Sequence, residues 1–205
     1  MRTVYIELKH IPPAFHRIAK SWAVWHGLYL RPSANKIGEE SKDPSSYYYW
    51  HAAPPGMSSP TDIRLGEDDV YYHLVSEGGL FYIDEEQRSQ RSRYWMFRNF
   101  DDAEKYMLFL LASGAYMMNR LGFLSIEWSN RGVAPWARVE NLEPEVEYSE
   151  KFSVSIEGES GDRGWMKERD AIIFSQIARL AYEELDAKLR EGIPPEWFTL
   201  EIAEA

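Results

Sequence analysis

The stretch 78-GGLFYIDEEQRSQRSRYWMFRNFDDAEKYM-107 holds two apolar-aromatic runs, a charged segment between them, and the start of a helix directly after. The runs "GLFYIDEE" and "RYWMFRNF" are rich in β-branched and aromatic residues, as strands are. Together with the preceding "TDIRL" and "DVYYHLVSE", divided by "GEDD" and "GG", they predict sequential strands on short links, hence an antiparallel meander. In this reading "DEEQRSQRS" is the hairpin loop. At Asn99 the apolar period changes from 2 to 3.6. Asn99 serves as the cap, Asp101, Asp102 and Glu104 favour the positive end of the helix dipole, and Ala103, Met107, Leu110, Leu111, Gly114, Met118 and Leu121 fall on one face before Gly122.

Outward from that core, "TVYIELKH" reads as a short strand. Pro12 and Pro13 then open a helix whose face is Phe15, Ile18, Ala19, Trp22 and Trp25, with Gly27 at its end. From Ser33 to Pro60 the composition shifts to Ser, Pro, Gly and charge around the aromatic run "YYYWHA", which predicts a loop insertion over 33–60. Beyond the central helix, "LSIEW", "ARVE" and "EKFSVSIEG" read as strands. A last helix is expected from about Trp165 to Glu191, carrying Ile173, Ile177, Leu180, Ala181, Leu185 and Leu189 inward. The expected architecture is a single α+β domain over residues 1–205, an antiparallel meander with about three helices packed mainly on one face.

Composition narrows the function classes. The 205-residue chain is 44% hydrophobic and 15% aromatic, enough for one sizeable core. Thirteen Tyr and eight Trp exceed what such a core takes in whole, so part of them should lie half exposed, suited to recognition. There is no cysteine, which excludes disulfides and thiolate metal sites. Neither a signal peptide nor an apolar run of membrane-spanning length is seen, so a cytoplasmic protein without membrane contact is expected. The net charge of −10 falls entirely in the second half, where residues 101–205 carry 11 basic against 21 acidic side chains. A nucleic-acid partner is not expected, since phosphate binding needs a clustered basic surface; a basic protein partner is compatible with this balance.

No spacing amounts to a catalytic signature. His10, His16, His26, His51 and His73 lack the helical spacing of a zinc hydrolase. "LASGA" and "GESGD" lack the strained elbow of a serine hydrolase, and "GESGDRG" is neither a P-loop nor a dinucleotide fingerprint. Glu143, Glu145 and Glu147 stand at alternate positions in "ENLEPEVEYSE". In an extended chain they would share a face, either as a contact for a basic partner such as a nuclease toxin or, less readily, as carboxylates for hydrolysis or a hard cation. No cofactor is implied, and nothing in the chain sets an oligomeric state.

The succession "GGLFYIDEEQRSQRSRYWMFRNFDDAEKYMLFLLASGAYMMNRLGFLSIEW…VAPWARVE" resembles the actinobacterial-type immunity proteins that neutralise NAD-degrading toxins of the tuberculosis necrotizing toxin kind. The features that carry the resemblance are Gly79, Tyr82 and Arg88 around the hairpin, and "DAEKYM" with Asp102, Glu104 and Tyr106. Further on, "NRLGFL" with Arg120, Leu121 and Gly122 leads to Ala134 and Pro135. "PPAFHRIAKSWAVWHGLYL" looks like the family's opening helix, and "FSQIA" (Phe174 to Ala178) fits its close. Ser89 stands where the family pattern has glycine, and the insertion over 33–60 is a departure. The resemblance implies a protein without catalytic residues or cofactor that binds a cognate toxin and blocks entry of NAD. The charged hairpin would then be the contact, with Glu85, Glu86, Arg88, Arg91, Arg93, Tyr94 and Trp95 as its residues and Tyr47 to Trp50 as a second aromatic group.

Overall fold

The computed structural model describes residues 2–30, 54–67, 69–122, 124–198 and 200–204. In chain order the elements are β1 (Arg2–Ile6), α1 (His16–Tyr29), β2 (Gly56–Ser59), β3 (Asp62–Glu67), β4 (Val70–Glu77), β5 (Leu80–Gln87) and β6 (Gln90–Phe97). They continue with α2 (Phe100–Asn119), α3 (Leu124–Arg131), β7 (Ala137–Asn141), β8 (Phe152–Ile156), β9 (Asp162–Met166), α4 (Glu168–Ile177), α5 (Tyr182–Leu189) and β10 (Leu200–Glu204). An eight-stranded antiparallel sheet runs in the order β2-β3-β4-β5-β6-β9-β8-β7, and β1 pairs with β10 in parallel as a separate two-stranded sheet. Most of the expected insertion, with Tyr47 to Trp50, lies outside the described residues; its end, Gly56–Ser59, is the edge strand β2.

The strand register decides which side of the meander is core. Ile63, Leu74, Ile83 and Trp95 are opposite one another across β3 to β6, and Leu65, Tyr72, Phe81 and Phe97 share their side. Against this face pack α1 and α2 on the meander half and α4 on β7, β8 and β9. The helix α2 is buried nearly all round, because the sheet covers one side and α1 and α5 the other. Its start is fixed as the sequence implies: Asn99 is extended (φ −132°) and its side-chain oxygen accepts from the Asp102 N–H at 2.8 Å. The aromatic surplus is spent mainly on this core. Trp22, Trp25, Trp128, Tyr106, Phe97 and Phe174 are fully buried, and each contributes about 2–3 kcal/mol of apolar burial.

Three expectations are corrected. Five α-helices, not about three, stand among the described residues. "LSIEW" opens α3 rather than a strand: Trp128, its one fully buried residue, stacks on Phe109 of α2 at 5.8 Å, Leu124 packs partly against the core, and Ile126 and Glu127 are exposed. The long last helix is instead three pieces: Trp165 belongs to β9, and the remainder breaks between α4 and α5. The break has a cause in space. Lys105 Nζ, 4% exposed on α2, donates to the carbonyls of Ala178 and Leu180, both at 3.1 Å, holding open the turn that ends α4. Among the described residues no helix is long and apolar enough to cross a membrane.

Candidate partner-binding site

The charged segment is strand, not loop. Only Arg88 and Ser89 form the connection, with φ of 50° and 62°, the two positive values of a type I′ turn. The remaining charges continue β5 and β6, which is tolerated because Asp84, Glu86, Arg91 and Arg93 alternate onto the sheet face opposite the helices, while Glu85 on the helix side faces Lys167. There Asp84 lies across from Arg93 and Glu86 across from Arg91, with His73 of β4 beside Asp84. A β-bulge between Ile83 and Asp84 sets this register apart from the apolar pairs below it.

These side chains neutralise one another. Arg91 donates to Asp84 Oδ2 at 2.9 Å and to Asp62 Oδ2 at 2.7 Å, and Arg93 donates to Asp84 Oδ1 at 2.9 Å and Glu77 Oε2 at 3.0 Å while lying over the Tyr82 ring. His73 is sandwiched between two carboxylates, with Nδ1 2.9 Å from Asp62 Oδ1 and Nε2 2.9 Å from Glu86 Oε2. Asp62, His73 and Asp84 are buried. Burial alone would raise the Asp62 carboxyl, but the hydrogen bonds from His73 and Arg91 outweigh it and hold the group below the usual carboxylate range. The network clamps β3, β4, β5 and β6 together just below the hairpin tip. Consequently Glu86, Arg91 and Arg93 support the hairpin rather than stand free for a partner, whereas Arg88 at the tip has no ion-pair partner among the described residues.

The other expected contacts lie on the helix side. Trp95 is only 5% exposed and its Nε1 donates to Asp170 of α4 at 2.9 Å, so it is a core residue and not an exposed anchor. Glu85 faces Lys167 and Asp170, and burial raises both carboxyls above their ordinary range. Tyr94 is half-buried, edge-on to Trp95, with the Lys167 ammonium 4.3 Å over its ring. Sequence reasoning missed Asp62 and His73, which sit on other strands and whose role depends on register alone.

Glu143, Glu145 and Glu147 lie in the turns that connect β7 to β8, not on an extended strand. Glu143 is bound by Lys151 Nζ at 2.6 Å and by Ser149 Oγ, while Glu145 and Glu147 point to solvent, so the three do not converge. Among the described residues no group of three or more His, Asp or Glu side chains is placed to hold a metal ion.

The motifs behind the resemblance prove to be framework. Asp102 and Glu104 are buried, and they bind Arg163 of β9 and Arg17 of α1 respectively. Arg120 takes a left-handed conformation (φ 56°) to end α2. Ser175 and Gln176 of "FSQIA" hold the turn around Ala134, through Ala134 N–H to Ser175 Oγ at 2.9 Å and Gln176 Nε2 to the Gly132 carbonyl at 2.8 Å.

The chain is therefore an α+β protein of one antiparallel sheet with helices laid on one face and a clamped hairpin at its end. That architecture is similar to the structure of Rv3902c from M. tuberculosis, with a TM-score of 0.50 at 9% sequence identity, over 63% of this chain and 75% of that one. At such identity the likeness is one of fold. No protein-family model matches the sequence, and no curated protein matches it.

Proposed function

We propose that this is an immunity protein, a non-enzymatic inhibitor that binds an NAD-degrading toxin domain and blocks its active site with the tip of the β5–β6 hairpin. The observation that supports this reading best is the preorganisation of the tip. A two-residue turn is carried on strands locked by the Asp62–His73–Glu86 and Asp84–Arg91–Arg93 contacts, so little conformational freedom is left to lose on docking. Arg88, exposed at the apex, presents a planar fork of donors suited to the carboxylates of a partner's cleft. The sequence resemblance supplies the class of partner. The toxin domain encoded beside this protein should lose its NAD consumption on addition of one equivalent of it. Unchanged NAD consumption would overturn the proposal. Arg88→Glu, which touches none of the clamp, should weaken inhibition about tenfold or more without lowering thermal stability; an unaltered inhibition constant would remove the tip from the interface.

A further inference from the structure

The register places a second projection at the same end of the sheet as the hairpin tip. Along β6 the tip lies towards Gln90. Because Met96 is opposite Trp165, and Phe152 is opposite both Met166 and Asn141, the connection between β7 and β8 points the same way. The hairpin runs six residues past Met96, or about 20 Å, and the β7–β8 connection stands two to three strands to the side, about 10–14 Å. Both fit within one protein interface of ordinary size, roughly 800 Å² per partner. Lys167 joins their bases, its ammonium over the Tyr94 ring and 3.2 Å from Glu150 Oε1.

This connection is built, and among its charged residues it exposes three large apolar or aromatic side chains. Its neck is closed by the Leu142 N–H to the Lys151 carbonyl at 2.9 Å and by the Lys151–Glu143 ion pair, and its turns by Val146 N–H to Glu143 and Ser149 N–H to Val146. Above the neck Leu142, Val146 and Tyr148 are 50%, 47% and 88% exposed, and Tyr148 is held at φ 63°. Glu143 and Glu150 are neutralised by Lys151 and Lys167, which leaves Glu145 and Glu147 as charges without an ion-pair partner among the described residues.

We infer that the β7–β8 connection is a second arm that grips the same toxin domain, Tyr148 entering an apolar recess on the partner with Val146 and Leu142 beside it, and Glu145 and Glu147 meeting a basic rim. An exposed tyrosine on a closed loop supplies large contact area at little entropic cost, and the two carboxylates fix its orientation and speed encounter. The inference rests on the proposed toxin-binding role.

Its test is the affinity for the toxin domain encoded beside this protein, measured by calorimetry on the full chain. Tyr148→Gly suits the left-handed backbone and should leave thermal stability unchanged or higher while raising Kd about tenfold or more. Glu145→Lys with Glu147→Lys should weaken binding further at low salt and lose most of that effect at high salt. If both variants bind like the wild type while Arg88→Glu does not, the second arm is overturned and the hairpin reading stands. If the wild-type chain does not bind this toxin domain, both fall together.

Discussion

Asp170 shows how one half-buried carboxylate links the hairpin to the helices and makes stability respond to pH. It accepts the Trp95 indole N–H at the start of α4, and burial, opposed by that hydrogen bond and by the Lys167 charge, raises its pKa above the ordinary carboxylate range. A carboxyl whose folded-state pKa is raised favours the fold when protonated. Its contribution is fully present below the unfolded value, about 4, and is lost as pH rises through the folded value. Asp170→Asn keeps an acceptor for Trp95 and removes the charge. The melting temperature of the variant relative to that of wild type should therefore be higher at pH 7 than at pH 4. Parallel profiles for the two proteins would show that Asp170 does not titrate across that range.

At the scale of the element, the β5–β6 turn bears directly on what the sequence could reveal. Arg88 and Ser89 both occupy left-handed backbone, a conformation that costs an L-residue about 1–2 kcal/mol and a glycine almost nothing. After the greater entropy of a flexible glycine is deducted, Ser89→Gly should stabilise the protein by about 0.5–1 kcal/mol in urea denaturation. A loss of stability would mean that the tip is not a type I′ turn. The position was legible as a departure from glycine, yet not as a turn, because charge density suggested a long loop. Charge is a poor marker of loops where strands pair it: the alternation of Asp84 and Glu86 against Arg91 and Arg93 is itself a strand pattern once the partner strand is known. Likewise the cap at Asn99, the apolar face of α1 and that of α2 through Ala103, Met107 and Leu111 were written locally and appear as expected, whereas Met118, expected on the same face, is 38% exposed near the end of α2. The break between α4 and α5 was not, because no Gly or Pro marks "IARLAY" and its cause, Lys105, lies more than seventy residues away.

For the whole molecule, the decisive joint is where the meander meets the β9-β8-β7 half of the sheet. Only two residue pairs connect β6 to β9, Met96 with Trp165 and Phe97 with Gly164, extended by the Arg98 N–H to the Arg163 carbonyl at 2.9 Å and the Arg98–Asp162 ion pair. The strands approach so closely that a Cβ on Gly164 would lie 1.9 Å from the Met96 carbonyl oxygen, and the residue's φ of 147° already disfavours any side chain. The joint also sets the angle between the two projecting elements, since the hairpin belongs to one half and the β7–β8 connection to the other. Gly164→Ala has no flexible neighbour to displace, so the backbones must part. The expected cost is about 3 kcal/mol or more in chemical denaturation, at the upper end for a single methyl because it combines overpacking with backbone strain. On the proposed toxin-binding role, affinity for the toxin domain should fall as well in whatever folded fraction remains, since separating the halves moves the hairpin tip relative to the β7–β8 connection while leaving Arg88 and Tyr148 themselves intact. A variant as stable as wild type would mean that the strands are farther apart than the Met96–Gly164 contact implies. A destabilised variant of unchanged affinity would show that the partner needs only one half of the sheet.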